Sequence, residues 1–500
     1  MPCLKAGRAF RKACGGARLH FVFKSVASTL LVAIAGAASA AGAEPRWYGI
    51  FAADGTRIGY ASREVTERPD GREIVETHSV HVTEEGRPPT AISERRLVRQ
   101  TRDGRTISVS EHAQNGRGWA RTEAAITPGR AVVTRRTRWD SSTATVTLTD
   151  EVRFDGGEDL LAVWDPAATP RLEFQVFSLD SMAVERVTIE PARGAGRDAQ
   201  GRLPVLRRSY LGSELRGVSR LLIGQGGEIV EIEQPMFGST IRSTVVDRQT
   251  ALRRPTPYSL LRAALVRAPY RVPASALQGR IRYRFAYRDG IEFPLPATGE
   301  QRATASDRGV TLEICSECGP GLATDPANLA DALRSTVWLQ SSDRRVRAIA
   351  EPVGRMSITG ARKMELLTRQ AQSHLPEIDF SGHFSAVETI SRRAGDCTEA
   401  AVLLAALGRA AGIPTRVASG LVYSRERYHG VSNVFMPHSW VLAYVDGRWR
   451  SFDAALDAFD ATHIALTIGD GDSRSIAAAS QLAALLEWAE MSEVRSRPAR

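Results

Sequence analysis

Three side chains late in the sequence have the types that nucleophilic acyl transfer requires: the thiol of Cys397, the imidazole of His438 and the carboxylate of Asp453. Around the thiol, residues 391–413 read Ser-Arg-Arg-Ala-Gly-Asp-Cys-Thr-Glu-Ala-Ala-Val-Leu-Leu-Ala-Ala-Leu-Gly-Arg-Ala-Ala-Gly-Ile. Gly395 breaks what precedes it and Asp396 is a residue that starts helices. The alanines and leucines from Ala400 to Ala411 favour helix, and Gly412 followed by Pro414 ends it. Cys397 therefore falls in the first helical turn. There the unpaired backbone N–H groups and the positive end of the helix dipole favour a thiolate. A thiol so placed is a candidate nucleophile.

A nucleophilic cysteine needs a base, and the base needs an orienting group. Downstream, Asp446-Gly447 separates two strand-like runs and signals a two-residue hairpin turn. Pairing Val445 with Arg448 sets His438 opposite Ala455 and Trp440 opposite Asp453. Alternation along the strands then puts His438, Trp440 and Asp453 on one face, with His438 and Asp453 as diagonal neighbours. In that register the carboxylate can fix the imidazole tautomer and stabilise the imidazolium. Trp440 reads as a core aromatic. His429, in the polar loop 424–433, is the nearest rival to His438 as a base and reads as surface.

Gly-Asp-Cys at 395–397, Gly-Ile-Pro at 412–414, His438-Ser-Trp440 and Trp449 followed by Asp453 together resemble the transglutaminase-like superfamily of papain-type cysteine enzymes. The resemblance covers roughly residues 335–470, and differs at Ala454, where that family often has proline. It implies Cys397 as nucleophile, His438 as general base and acid, and Asp453 as orienting carboxylate. It also implies a peptidase, amidase or transglutaminase acting on a protein or peptide amide, without cofactor or metal.

These residues need a scaffold, and 500 residues suffice for two to four domains. Lys5, Arg8, Arg11, Lys12, Arg18 and Lys24 precede an uncharged run from Ser25 to Ala43, with Ala38-Ser39-Ala40 inside it. This pattern predicts a signal peptide over 1–40, cut after Ala40 or Ala43, and hence a periplasmic or secreted protein with no stable membrane span. Its removal takes six basic and no acidic residues, lowering the formal net charge from +10 to +4. The remaining arginines are interspersed with acids, which argues against nucleic acid. In an oxidising compartment Cys315 and Cys318 read as a local disulfide, which leaves Cys397 as the odd thiol.

Residues 45–250 alternate between short strand-like runs and Asp-Gly or Gly-Gly turns, predicting an antiparallel β domain, a partial barrel or large curved sheet. Its histidines, His78, His81 and His112, read as strand-face side chains. A small β segment at 262–325 carries the two cysteines, and helical periods begin in the 328–495 region, expected to be the catalytic domain. Residues 477–491 are expected to form a helix containing Trp488. The Gly469-Asp470-Gly471-Asp472-Ser473 run reads as a plain turn rather than a calcium loop. The fold class is α+β, with a papain- or transglutaminase-like domain preceded by a largely antiparallel β region. Two other readings stand beside the enzyme: an idle scaffold binding a cell-envelope component through its β domain, and a thiol–disulfide protein using Cys315 and Cys318.

Overall fold

A computed structural model describes residues 44–494 except 84–87, 116–117, 150, 237–238, 307–308, 379–382, 429 and 457. The expected signal peptide and His429 lie outside the described residues. The chain divides into two compact units at residues 260 and 261. The first is β-rich and the second mixes helices with sheets, so the α+β class and the curved antiparallel region hold.

In the first unit fifteen strands, from β1 (Arg46–Phe51) to β15 (Ser239–Val246), form one sheet. Strand β1 lies between β2 (Arg57–Arg68) and β15, so the two ends of the unit's chain meet in the middle of the sheet. Its edges are β8 (Ser141–Thr147) and the two-residue β9 (Val152–Arg153). The pairing is antiparallel except where β9 meets β10 (Leu172–Ser178). Alternation buries Ile74, Val98, Val109 and Val133 in a cluster with Phe154 and Phe177. The same alternation also buries charge: Arg63 pairs with Glu158 and lies 3.5 Å from Glu76. His78 is fully buried between Ala61 and Glu94 on the neighbouring strands, and burial lowers its pKa to about 3.

The second unit is built around the helix that begins at Cys397. Labelled in chain order, its principal helices are α1 (Arg344–Gly354), α2 (Gly360–Ser373), α3 (Ala386–Arg392), α4 (Cys397–Ala410) and α5 (Ser473–Ala484). Every residue of α4 from Cys397 to Arg409 is buried, as an all-round apolar helix requires. Helices α1, α2 and α3 pack around it, and strands β22 (Thr415–Ser424) and β23 (Val434–Val445) cover its remaining side. The core there joins Leu403, Leu404 and Leu407 to Val346, Met364, Leu367, Val417 and Val441. Near the end of α4 the buried Arg409 gives hydrogen bonds to the Thr415 carbonyl (2.8 Å) and to Asp470 (2.6 Å).

Strand β23 pairs with β22, with the short β16 (Val266–Arg267) and with β24 (Arg448–Phe452), while β25 (Ile464–Gly469) extends the sheet beyond β22. The hairpin turn has positive φ at both Asp446 (52°) and Gly447 (83°), the primed geometry that the Asp-Gly pair favours. The Asp446 carboxylate also accepts hydrogen bonds from Gly360 and Ala361 N–H (3.0 and 3.1 Å), so the turn caps α2.

The expected helix over 477–491 is corrected. Helix α5 ends at Ala484, and Leu486–Glu493 is a strand, β26, carrying Trp488. It pairs antiparallel with β17 (Ile281–Tyr287), and Trp488 packs edge-on against Phe285 at 4.9 Å. Glu487 and Glu490 meet Arg288 and Arg284, partners that a continued helix would not reach. Sheet pairing overrides helix propensity. Strands β18 (Gln301–Ser306) and β19 (Gly309–Ile314) complete this four-stranded sheet, so the segment at 262–325 shares its sheet with the C-terminal strand.

Candidate active site

Asp396 sits at the N-cap of α4 in extended conformation and accepts a hydrogen bond from Thr398 N–H (2.7 Å), while Glu399 reaches back to Asp396 N–H (3.0 Å). That capping box places Cys397 at the first helical position, whose N–H has no intrahelical acceptor. Gly395 makes room for it: a Cβ there would meet Glu399 Cβ at 2.5 Å. Burial raises the Asp396 carboxyl well above its usual range, and the neighbouring Glu399 adds to the effect. A shift in this direction favours the neutral carboxyl and so less negative charge beside the adjacent sulfur. Cys397 is buried and shares a cluster with Met436, Ala454 and Ala455, which flank His438 and Asp453 in sequence.

His438 lies in the middle of β23, paired with Gly420 on β22. A Cβ at Gly420 would come within 1.9 Å of the Ile464 carbonyl, so β25 can approach only a glycine here. The β23–β24 register matches the expected one from Val445–Arg448 to Val441–Phe452 and ends there. Asp453 therefore leaves the ladder instead of pairing with Trp440. Its Oδ1 accepts from the N–H groups of Ala455 (2.7 Å) and Leu456 (2.9 Å), a side-chain turn that fixes the carboxylate. Its Oδ2 lies 2.7 Å from His438 Nε2. The contact inferred from an extended hairpin thus exists, but a turn supplies it.

Trp440 stacks 6.1 Å from the His438 ring and packs with Ala418, Leu442, Trp449 and Ala465, in keeping with a core role.

Sequence reasoning missed His463. This fully buried imidazole brings its Nε2 to 3.0 Å from the same Asp453 Oδ2, and its Nδ1 to 3.2 Å from Asp460 Oδ1. Burial favours a neutral ring, yet hydrogen bonds to Asp453 and Asp460 raise its pKa to about 10. Burial likewise favours a protonated Asp453, but the His438 and His463 imidazoles outweigh it and hold the carboxyl below the ordinary range. The only signal in the sequence was an Asp-x-x-His run at 460–463, which register arguments could not connect to Asp453.

The ring nitrogens and Asp453 Oδ2 lie within 4.8 Å of one another, which raises the question of a metal. Tetrahedral zinc with bonds of about 2.0–2.1 Å spaces its ligand atoms roughly 3.3 Å apart. The separations of 2.7 and 3.0 Å are hydrogen-bond lengths, with each ring donating to the carboxylate.

The cysteine pair and the acidic turn singled out in the sequence have structural partners. Cys315 and Cys318 are joined by a disulfide, and Cys397 is the free cysteine among the described residues. Asp470 pairs with Arg409 and Arg416, and Asp472 caps α5 by accepting from Ser475 N–H (2.8 Å).

Comparison with known proteins adds a family match over part of the chain. Residues 347–454 match the model of the transglutaminase-like superfamily. The matched stretch runs from α1 through the β23–β24 hairpin and includes Cys397, His438 and Asp453. No curated protein matches the chain. Among solved structures, a β-barrel-like protein of a domain of unknown function from Brucella abortus aligns at 13% identity and a TM-score of 0.33, over 41% of this chain and 95% of that one. The periplasmic domain of TgpA from Pseudomonas aeruginosa, bound to ethylmercury, aligns at 16% identity and a TM-score of 0.27, over 39% and 89%. At these scores neither serves as a template for this chain. No helix among the described residues is long and apolar enough to cross a membrane.

Proposed function

We propose that this chain is an exported thiol acyl-transfer enzyme that cleaves or transfers an amide acyl group through a thioester on Cys397. The observation that carries the reading is the 2.7 Å contact between His438 Nε2 and Asp453 Oδ2, within a transglutaminase-like stretch that starts a helix at the thiol. With Nε2 committed to Asp453, Nδ1 is the ring nitrogen that takes the thiol proton. The thiolate attacks the amide carbonyl, and the Cys397 N–H stabilises the oxyanion. His438 then gives its proton to the departing amine as the C–N bond breaks, leaving a thioester. Water or a second amine attacks this thioester, with His438 taking the proton. A carboxylic acid or a new amide leaves and the thiol is regenerated. Export to the periplasm or the medium rests on the basic and apolar composition of residues 1–40.

The test is a search for the acyl intermediate. Mature protein is mixed with glutamine-containing peptides and acyl-peptide amides, quenched in acid, and the Cys397 peptide is weighed by mass spectrometry. We expect a hydroxylamine-labile adduct on Cys397 that His438→Ala abolishes. If iodoacetamide modifies Cys397 only after denaturation, the thiol is a buried structural group and the enzyme reading fails.

A further inference from the structure

Asp453 carries four donors. Oδ1 takes the peptide N–H groups of Ala455 and Leu456, and Oδ2 takes His438 Nε2 and His463 Nε2. A carboxylate offers about four lone-pair directions, so its acceptor capacity is full and it cannot turn without losing a buried partner. Two of these donors are fixed by the turn itself. The third, His438, is the base of the proposed reaction. The fourth, His463, comes from the chain just before β25 and is held from its far side. Its Nδ1 lies against the carbonyl (3.1 Å) and carboxylate (3.2 Å) of Asp460. Asp460 is in turn tied to Thr462 through N–H (2.8 Å) and hydroxyl (2.5 Å).

We propose that His463 is a positioning residue that acts through Asp453: it donates to the carboxylate oxygen that orients His438, and its charge sets the pH range in which the Cys397–His438 pair is poised. This rests on the reading of Cys397, His438 and Asp453 given above. Nε2 faces only the Asp453 carboxylate and calls for N–H there, while Nδ1 lies against Asp460 oxygens at 3.1 and 3.2 Å and against the Asp460 N–H at 3.2 Å. With a carboxylate on either side of the buried ring, the pKa of about 10 agrees with an imidazolium. Among the described residues, the charged and titratable groups around it are Asp453, Asp460 and His438, with Tyr283 bonded to the adjacent Ala461 carbonyl at 2.8 Å. Trp440 and Phe459 cover the ring with centroids at 5.1 and 4.9 Å, which keeps water from screening the charge. Asp453 alone would pull a proton strongly onto His438. A second positive ring on the same oxygen moderates that pull, and it favours the thiolate as well.

The sign of the effect follows. Taking away a buried positive charge raises the pKa of every neighbouring group, so both limbs of a thiol-reactivity profile move to higher pH. The readout is the second-order rate of Cys397 alkylation by iodoacetamide between pH 4 and 10 on the full mature chain. It is followed at the Cys397 peptide for wild type, His463→Gln, His463→Ala and Asp453→Asn. Glutamine keeps a donor but not the charge, so it separates positioning from simple loss of fold. We expect the acid limb of His463→Gln to move up by roughly one pH unit, so that reactivity below the limb falls about ten-fold. His463→Ala shifts the same way and also loses plateau rate. A wild-type limb at low pH that Asp453→Asn moves and His463→Gln leaves in place overturns the inference alone. A wild-type Cys397 that titrates like an ordinary thiol near about 8.5, indifferent to Asp453→Asn, removes the catalytic reading and this inference together. A profile that changes on adding EDTA shows metal ligation in place of donation and also overturns it.

Discussion

At the scale of single residues, the second unit keeps its charges by surrounding each with opposite or neutral partners. Asp453 is held below the ordinary carboxyl range because two imidazoles and two peptide N–H groups face it, whereas burial and the neighbouring Glu399 push Asp396 well above that range. His463 makes the stability consequence measurable. Its pKa is raised to about 10 in the folded chain. In the unfolded chain it falls to about 6.5. Its contribution is therefore fully present below about pH 6.5 and is lost progressively as pH rises towards 10. The loss between pH 7 and 10 is on the order of 3 kcal/mol. Urea midpoints for the second unit should fall over that window and fall less in His463→Gln. Equal slopes in the two proteins would show that the ring is neutral when folded.

At the scale of elements, the nucleophile helix and the hairpin were legible because their signals are local. Asp396 with Glu399 marks a helix start, Gly412-Pro414 its end, and Asp446-Gly447 a turn whose register follows from its length. Two things were not legible. The strand at Leu486–Glu493 follows directly on an alanine-rich helix, and only its non-local partner Ile281–Tyr287 decides its state. Asp453 reaches His438 from a turn, and His463 arrives just before β25, the strand beyond β22, so neither contact follows from one hairpin's alternation. What lets β25 come so close is Gly420, opposite His438. Gly420→Ala puts a methyl 1.9 Å from the Ile464 carbonyl and must push β25 away, taking His463 with it. We expect a loss of about 2–4 kcal/mol in urea unfolding. Alkylation of Cys397 should shift in the same direction as in His463→Gln. Unchanged stability would mean that the sheet yields at this point without cost.

At the scale of the whole molecule, the two units bury ionisable groups for different reasons, and pH separates them. In the second unit Asp396, Asp453, Asp460 and His463 are shifted groups at the candidate site. In the first such groups lie inside a sheet with no catalytic constellation. There burial raises Glu76 and Glu94, with Asp155 adding to it for Glu76, and Glu111 and Asp180 for Glu94. Burial also pushes Glu158 up to about 8, despite Arg63, because Asp155 and Glu76 lie nearby. Arg96 acts against this rise at Glu76 and Glu94, and Arg63 is shared between Glu76 and Glu158. The sign is opposite to that of an ion-paired surface acid. Near pH 4 these carboxyls are protonated whether folded or not. Above that the unfolded chain gives up its protons while the folded sheet retains them, so stability falls as pH rises to about 8. Asp155, held below its usual range by Arg153 in spite of burial, works the other way, but its contribution is complete above about pH 4. His78, whose pKa burial lowers to about 3, also works the other way and offsets part of the fall up to about pH 6.5. Between pH 5.5 and 8.5 the first unit should therefore lose stability, on the order of 3 kcal/mol for a group shifted as far as Glu158. Urea titrations read by pulse proteolysis and mass spectrometry, scored on peptides from β2 to β15, give that unit's midpoint without interference from the other. Glu158→Gln, which has no proton to release, should flatten the slope while leaving the His463-dependent loss in the second unit intact. A first-unit midpoint that rises with pH would mean that Arg63 and Arg96 keep these carboxylates ionised, and that the interior of the sheet is a paired charge network.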